Sequence, residues 1–416
     1  VPVLIFMRKH RKQIAIVIKV QVSETVPGLF SMKGKNMDSV LYALSEHIHG
    51  QNYVIASYYI KLPKEVDVIK KASTLAVGQT IGTWIPIPGI TDEIREKYMG
   101  KVVNIFDIPA LDLATQIEED ERKYIIQIAY PAVNFGNDLP LLITSLLGND
   151  ASTSAQVKLL DIEFPEEFTK KFAGPQFGID GIREYTKVKE RPFLLNMVKP
   201  CTGLTPEEGA KIFYQTALGG VDFIKDDELL GNPSYSHPAD RVKAFRKAAK
   251  AAYEESGNHV KYFVNVTSGT AEIMDNVKAV EDAGADGIMI NFAAIGYSAL
   301  KQVAEKTKLP ILGHAAGSGM VYEGTLNGMS SPLAVGKLAR LAGADIVMVN
   351  TPYGGYPLSY QKYMQTIEQL VLPFYHLKAS MPSIGGGVHP GMVEKYIREV
   401  GCDIVLAAGG AVQGHP

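Results

Sequence analysis

From Leu194 onward, apolar runs of strand length alternate with helical stretches, and this alternation restricts the fold more than any other feature. The runs are Leu194–Val198, Val221–Ile224, Tyr262–Val266, Gly287–Ile290, Ile311–Leu312, Ile346–Val349, Ser383–Ile384 and Ile404–Leu406. Helical text such as Pro206–Leu218, Asp240–Ser256, Ala271–Ala283 and Pro332–Ala342 separates them. Eight such units fit a closed (β/α)8 TIM barrel better than an open sheet. Gly284-Ala285-Asp286 and Gly343-Ala344-Asp345 precede two of the runs, as helix C-caps do.

The text upstream is less regular. Tyr53–Ile60, Lys101–Phe106, Lys123–Tyr130 and Val157–Phe164 are rich in β-branched and aromatic residues and read as strands. Val66–Val77 and Leu139–Leu147 read as helices, and Gly82-Thr83-Trp84 opens another extended run closed by Pro86 and Pro88. Strands and helices without strict alternation indicate an α+β domain. The expected fold class is therefore α/β, a C-terminal (β/α)8 TIM barrel preceded by a smaller α+β N-terminal domain. The predicted boundaries are 36–160 for the α+β domain, 161–190 for a connector and 191–416 for the barrel. Residues 1–35 read as an extension of uncertain status. Arg8, Lys9, His10, Arg11, Lys12 and Lys19 interrupt its apolar text, unlike a signal peptide, and Met32 or Met37 are alternative starts. Only Gly409 to Pro416 follows the eighth run, so the barrel is expected to be truncated after its last strand.

Bulk properties narrow the partners. A formal net charge of -2 gives no footprint for nucleic acid or a membrane surface. Hydrophobic content of 46% and charged content of 21% fit a globular protein. Two cysteines, Cys201 and Cys402, provide no disulfide framework and suit a reducing cytoplasm, the expected location.

In a barrel, chemistry sits at the C-terminal ends of the strands. The second run ends in Lys225-Asp226-Asp227-Glu228. Like charges at the end of a buried strand are costly, and a divalent cation offsets that cost. Mg²⁺ prefers hard oxygen ligands, so two carboxylates alone make a weak site. Lysine becomes an oxygen ligand only when modified, for example by CO₂ to a carbamate. The plainer reading of the cluster is a salt-bridged strand end. Other strand ends carry Lys199-Pro200, Asn265, Asn291, His314 and Asn350-Thr351. Lys199 reads either as a proton-transfer base or as an ordinary ion-pair partner. His314 reads either as a substrate contact or as a satisfied core histidine. Glycines after the seventh and eighth runs, Gly386, Gly387, Gly409 and Gly410, permit a backbone cradle for one phosphate.

Over roughly 53–416 the chain resembles the large-chain family of ribulose-bisphosphate carboxylase (RuBisCO). The matching text is Tyr53-Val54-Ile55-Ala56-Ser57-Tyr58-Tyr59, Gly82-Thr83-Trp84, Val198-Lys199-Pro200, Gly220 through Glu228, His314 and Gly414-His415-Pro416. The resemblance implies that Lys225 is carbamylated and binds Mg²⁺ with Asp227 and Glu228. It implies that Lys199 abstracts the proton and that Gly387, Gly409 and Gly410 hold a phosphate. It also implies a homodimer whose shared active site takes Thr83 and Trp84 from the partner's N-terminal domain.

The departures fix the subclass. The carboxylase lysine after strand six is absent from Tyr353-Gly354-Gly355-Tyr356, and the Lys-Pro-Lys element is Lys199-Pro200-Cys201. The arginine, histidine and serine of the family's second phosphate site fall on Ala315, Met348 and Gly385. The family's N-terminal glutamate and asparagine fall near Gly78 and Leu141. Loss of those donors leaves one phosphate to bind, so the chain is similar to the RuBisCO-like (form IV) proteins. Its expected activity is enediolate formation from a phosphorylated ketose-type or 3-oxo sugar-acid monophosphate, by enolisation, isomerisation or decarboxylation, without CO₂ fixation. An alternative is the 2,3-diketo-5-methylthiopentyl-1-phosphate enolase of methionine salvage, suggested by Gly387-Val388-His389-Pro390 and Ala407-Ala408-Gly409-Gly410. That enolase's base falls on Gln156, with Lys158 two residues on. A further alternative is a non-catalytic phosphate-binding protein, which has no use for a base beside a metal.

Overall fold

The structure is a computed structural model. It describes residues 39–414 apart from Trp84, Pro86 and Glu118, and the strand backbone of 2–9 and 12–19. Inside the expected extension, β1 (Pro2–Lys9) pairs antiparallel with β2 (Lys12–Lys19).

Four strands form an antiparallel sheet: β3 (Tyr53–Pro63), β4 (Lys101–Ile108), β5 (Glu121–Pro131) and β6 (Lys158–Glu163), in the order β4-β5-β3-β6. Side chains on a strand alternate faces. Accordingly Val54, Ala56, Tyr58 and Ile60 of β3 and Ile126, Ile128 and Tyr130 of β5 are all 0% exposed. They share a core with Ala72, Leu75 and Ala76 of the helix Val68–Gly78 and with Leu142 and Leu146 of the helix Leu139–Leu147. No strand forms around Gly82 and Thr83; the described residues there lie in a loop, contrary to the extended run expected.

The sheet is joined to the barrel through its edge. Leu159 of β6 donates its N–H to Gly328 O at 2.9 Å and accepts from Ser330 N at 2.9 Å. Lys337 Nζ lies 2.5 Å from Asp161 Oδ1 across the same seam.

All eight apolar runs are barrel strands: β7 (Phe193–Met197), β8 (Phe223–Lys225), β9 (Lys261–Asn265), β10 (Gly287–Asn291), β11 (Ile311–His314), β12 (Ile346–Asn350), β13 (Met381–Gly385) and β14 (Val405–Ala407). Neighbours pair in parallel, and β14 returns to β7, closing the ring. After β14 a single turn of helix, Gly410–Gln413, is present. The interior is filled by Leu195, Phe223, Phe263, Met289, Leu312, Ile346 and Val405. Phe223 packs between Phe193, at a centroid distance of 5.0 Å, and Phe263, at 5.4 Å.

The 161–190 stretch is more than a connector. It contains a helix, Gly178–Thr186, whose Ile182 is 0% exposed and which packs with Phe177 and Ile179 on the barrel interior. Asp345 Oδ1, just before β12, accepts from Phe177 N at 2.6 Å and Gly178 N at 3.0 Å, while its Oδ2 accepts from Ile311 N at 2.9 Å. The helix thus closes the end of the barrel where the strands begin. Burial pushes the Asp345 carboxyl up to about 6, against the three N–H donors. The expected helix Pro332–Ala342 is present as a π-type turn, Pro332–Lys337, followed by Leu338–Leu341.

The helix Pro206–Leu218 starts where its sequence says. Thr205 accepts from Glu208 N, and Glu208 Oε2 accepts from Thr205 N at 2.9 Å, a reciprocal cap with Pro206 at the first helical position. Thr205→Ala is expected to lower unfolding stability by about 1 kcal/mol, read as a shift in urea midpoint at unchanged slope.

Candidate active site

The C-terminal ends of β7, β8, β10 and β11 bring lysines, carboxylates, an asparagine and a histidine together. β8 is short, and its apolar Phe223 and Ile224 hold Lys225 wholly inside the barrel at 0% exposure. Lys225 Nζ donates to Asp226 O at 3.0 Å and stands 3.7 Å from Glu228 Oε2. Burial pulls the amine's pKa down; Glu228, Asp227 and Asp226 oppose that shift without cancelling it.

The three acids that follow divide by role. Asp226 turns away, into a buried polar knot. It accepts from Arg241 Nε at 3.0 Å, from Tyr262 Oη at 2.5 Å and from Asn265 N at 2.8 Å. Arg241, on the helix Pro238–Ser256 and 1% exposed, also donates to the carbonyls of Ser236, Leu230, Gly231 and Asn265. The arginine therefore ties down the loop that follows the acids. Asp227 and Glu228 face the mouth. Asp227 Oδ2 accepts from Lys199 Nζ at 2.5 Å and Oδ1 from Leu229 N at 3.1 Å. The Glu228 carbonyl accepts from Asn265 Nδ2 at 3.2 Å and Asn291 Nδ2 at 2.8 Å, which fixes the backbone under its carboxylate.

Lys199 follows β7 with its side chain 42% exposed, so one end reaches Asp227 and the rest faces the mouth. Burial alone would lower its pKa, but Asp227 and Cys201 outweigh that and hold it above the usual lysine range. Its backbone is anchored by Gln413, whose Oε1 accepts from Lys199 N at 3.1 Å while Nε2 donates to Met197 O at 3.0 Å and Asn196 Oδ1 at 2.9 Å.

His314 ends β11 with its Nε2 3.6 Å from Glu228 Oε2. Its Nδ1 accepts from Ala316 N at 3.1 Å, so the neutral ring carries its proton on Nε2, toward Glu228. Burial, reinforced by Lys225, holds its pKa well below the usual histidine value. His314 is thus a satisfied histidine that also faces the acid cluster.

The two glycine clusters lie beside each other, because β13 and β14 are neighbours and β14 adjoins β7. Gly386 and Gly387 adopt φ of +89° and +77°, open to glycine at little cost. At Gly409 an added Cβ would lie 2.6 Å from Met197 Sδ, so a larger residue would displace that side chain; beside Gly410 the space is open. Thr83 is half-buried, and its Oγ1 accepts from Ile85 N at 3.0 Å within its own loop. Trp84, like His415 and Pro416, lies outside the described residues.

Among the described residues no group of three or more His, Cys, Asp or Glu side chains is placed to hold a metal. Asp227 and Glu228 provide two carboxylates, and the third side chain at their side is the buried Lys225. The donor set therefore fits a hard cation when Lys225 itself presents oxygen, as a carbamate does. The groove of about 920 Å³ between the helices Pro206–Leu218 and Pro238–Ser256 shares none of these residues and lies on the outside of the barrel. Among the described residues no helix is long and apolar enough to cross a membrane.

Sequence profiles agree with this architecture. The "Ribulose bisphosphate carboxylase large chain, catalytic domain" profile matches residues 178–416, and the corresponding N-terminal domain profile matches 42–168. The chain belongs to the RuBisCO large-chain family. A ribulose bisphosphate carboxylase-like protein of Archaeoglobus fulgidus is 42% identical over 376 residues, covering 90% of this chain and 86% of that one. A 2,3-diketo-5-methylthiopentyl-1-phosphate enolase of Geobacillus kaustophilus is 36% identical over 366 residues, covering 87% and 88%. Among solved structures, a rubisco-like protein from Alicyclobacillus acidocaldarius superposes with a TM-score of 0.80 at 31% identity, covering 88% of this chain and 90% of that one. A dimeric archaeal RuBisCO from Hyperthermus butylicus gives 0.79 at 29% identity, covering 88% and 87%. Within the RuBisCO family, the chain is a RuBisCO-like protein.

Sequence reasoning did not find the supports of this site. Arg241 reads as one more cation on an amphipathic helix; its only signal is position, next to the buried Val242 and four residues before the buried Phe245. Gln413 carries no local signal.

Proposed function

We propose that this RuBisCO-like protein is a Mg²⁺-dependent enzyme that forms an enediolate from a phosphorylated ketose-type or 3-oxo sugar-acid monophosphate, and that it does not fix CO₂. The observation that carries this reading is the contact of Lys199 Nζ with Asp227, beside a lysine amine buried among carboxylates. A simple binding protein has no use for that pairing.

Lys225, carrying CO₂ as a carbamate, would hold Mg²⁺ with Asp227 and Glu228. When bound, Mg²⁺ supplies Lewis-acid polarisation of a substrate carbonyl. The protein's own residues do the rest. Lys199, once Asp227 is engaged as a ligand and no longer keeps the amine charged, moves the proton at the carbon beside the carbonyl, or stands over the anion left when CO₂ departs. His314 Nε2–H donates to a substrate oxygen at the edge of the cluster. Backbone N–H groups of Gly386, Gly387, Gly409 and Gly410 hold the single phosphate. Ala315, Met348 and Gly385 carry neither a cation nor a hydroxyl, so these positions provide no side-chain donor for a second phosphate. The absence of a lysine from Tyr353-Gly354-Gly355-Tyr356 removes the cation needed for an incoming CO₂.

A homodimer completes the site. Thr83 is half-buried and, among the contacts described, bonded only within its own turn, as a residue offered to a partner's barrel would be; Trp84 would accompany it.

The test is hydrogen exchange from solvent D₂O into phosphorylated ketoses, with Mg²⁺ and bicarbonate present. Exchange at the carbon next to the carbonyl is expected. No exchange with any candidate, and no decarboxylation of a 3-oxo acid phosphate, would remove the proposal.

A second reading, 2,3-diketo-5-methylthiopentyl-1-phosphate enolase, is favoured by the Geobacillus kaustophilus relative. Its difficulty is the base. Gln156 is the left-handed cap of the preceding helical turn, and Lys158 Nζ is bonded to Tyr322 O at 2.6 Å and to Gly324 O at 2.5 Å. Burial lowers the Lys158 pKa, with Lys362 adding to the shift, yet both carbonyls would have to release it before it reached a substrate. Turnover of the diketo phosphate would decide for this reading.

A further inference from the structure

The loop after β12 and the glycine turn after β13 form one unit. An added Cβ on Gly387 would lie 2.9 Å from Tyr353 O and 3.0 Å from Gly354 Cα, and one on Gly354 would lie 2.5 Å from the Gly386 carbonyl. The two backbones are thus in direct contact, with no side chain between them. Thr351 adds two bonds: its N–H donates to Gly385 O at 3.2 Å and its Oγ1 to Gly386 O at 2.9 Å. The shape of the glycine turn is therefore set by where the strand-six loop rests.

One side chain holds that loop from the far side. Tyr353 Oη donates to Glu399 Oε1 at 2.6 Å. Glu399 lies on the helix Val393–Val400, which follows the glycine turn in the chain. The Tyr353 ring packs against Tyr396 at 6.0 Å between centroids, and Lys395 Nζ sits 3.9 Å from the Tyr353 ring centroid. The result is a closed circuit: β13, glycine turn, helix, Glu399, Tyr353, and back to the glycine turn through Gly354. A charge-assisted bond that closes such a circuit restrains both loops at once.

We infer that the Tyr353–Glu399 bond is a latch that presses the strand-six loop onto Gly386–Gly387, making Glu399 a positioning residue for phosphate. It touches no substrate itself. In this protein the strand-six loop carries no cation for catalysis, and its work is to shape the anion cradle. The inference rests on the reading of the glycine turns as the phosphate site.

The experiment measures inorganic phosphate binding, by calorimetry with Mg²⁺ present, on the full chain and on Tyr353→Phe, Glu399→Ala and Glu399→Gln. Tyr353→Phe keeps the ring packing and removes only the donor. Weakening of phosphate by about 5- to 20-fold is expected for Tyr353→Phe and Glu399→Ala. Glu399→Gln, which still accepts the bond, is expected to recover most of the affinity. In the exchange assay KM rises with kcat nearly unchanged. Wild-type affinity in Tyr353→Phe, or a fall in kcat at constant KM, overturns the latch while leaving the phosphate site standing. Failure of the unaltered protein to bind phosphate overturns the site reading and the latch with it. Circular dichroism and the unfolding midpoint of each variant separate a loose latch from a damaged fold.

Discussion

Lys199→Met is expected to lower the rate of solvent hydrogen exchange into the substrate by about 10³-fold, within the range for loss of a general acid–base group. Methionine keeps the unbranched stem and most of the volume while removing Nζ. It deletes the hydrogen bond of 2.5 Å to Asp227, which holds that carboxylate below its usual pKa against the effect of burial. The Asp227 carboxylate remains, so a cation at Asp227 and Glu228 keeps its ligands and is freed from competition with the lysine charge. Phosphate is held by backbone groups after β13 and β14, so its affinity is expected to stay within about 2-fold, the size of effect left when no direct contact is removed. A catalyst therefore loses kcat and keeps its ligand. A binding protein would lose neither, and exchange by Lys199→Met at more than a tenth of the normal rate would strip Lys199 of the base role.

The barrel was legible because its strands are mostly apolar runs and several of the following helices carry their own start or stop. Thr205-Pro206 with Glu208, and Gly284 before β10, are examples where the chain's local chemistry and the fold agree. Lys225-Asp226-Asp227-Glu228 was legible for the opposite reason: four charges at the end of an apolar run conflict with burial unless something binds them. What the sequence hid is longer in range. Asp226 looks like a third candidate ligand, yet its partner Arg241 lies fifteen positions on, so which acid turns inward depends on tertiary packing. The helix Gly178–Thr186 was read as connector because Gly and Pro flank it and its apolar face spans only Ile179 and Ile182. The latch between Tyr353 and Glu399 joins residues 46 positions apart, and no local pattern marks either.

The largest stability effect is expected at Arg241. Arg241→Met removes a guanidinium that is 1% exposed and leaves the Asp226 carboxylate, at 0% exposure, with Tyr262 Oη and Asn265 N as its donors. It also strips a donor from the carbonyls of Ser236, Leu230, Gly231 and Asn265. Breaking one half of a buried ion pair costs about 3–5 kcal/mol, because the remaining charge has neither water nor a counter-ion. The cost should show as a lower urea midpoint at unchanged slope. The double variant Asp226→Asn with Arg241→Met removes the stranded charge, so its loss should be smaller than the sum of the two single losses by about 1 kcal/mol or more. A single-variant loss below about 1 kcal/mol would mean that the pair is not desolvated as the structure has it. The same variant probes function through a second readout. Arg241 touches no face of the mouth, yet it fixes the loop directly after Asp227 and Glu228. Mg²⁺ affinity should therefore fall in Arg241→Met even at urea concentrations of zero, where the protein is still folded. Retained Mg²⁺ affinity alongside a large stability loss would separate the two tasks and leave Arg241 as a support of the barrel alone.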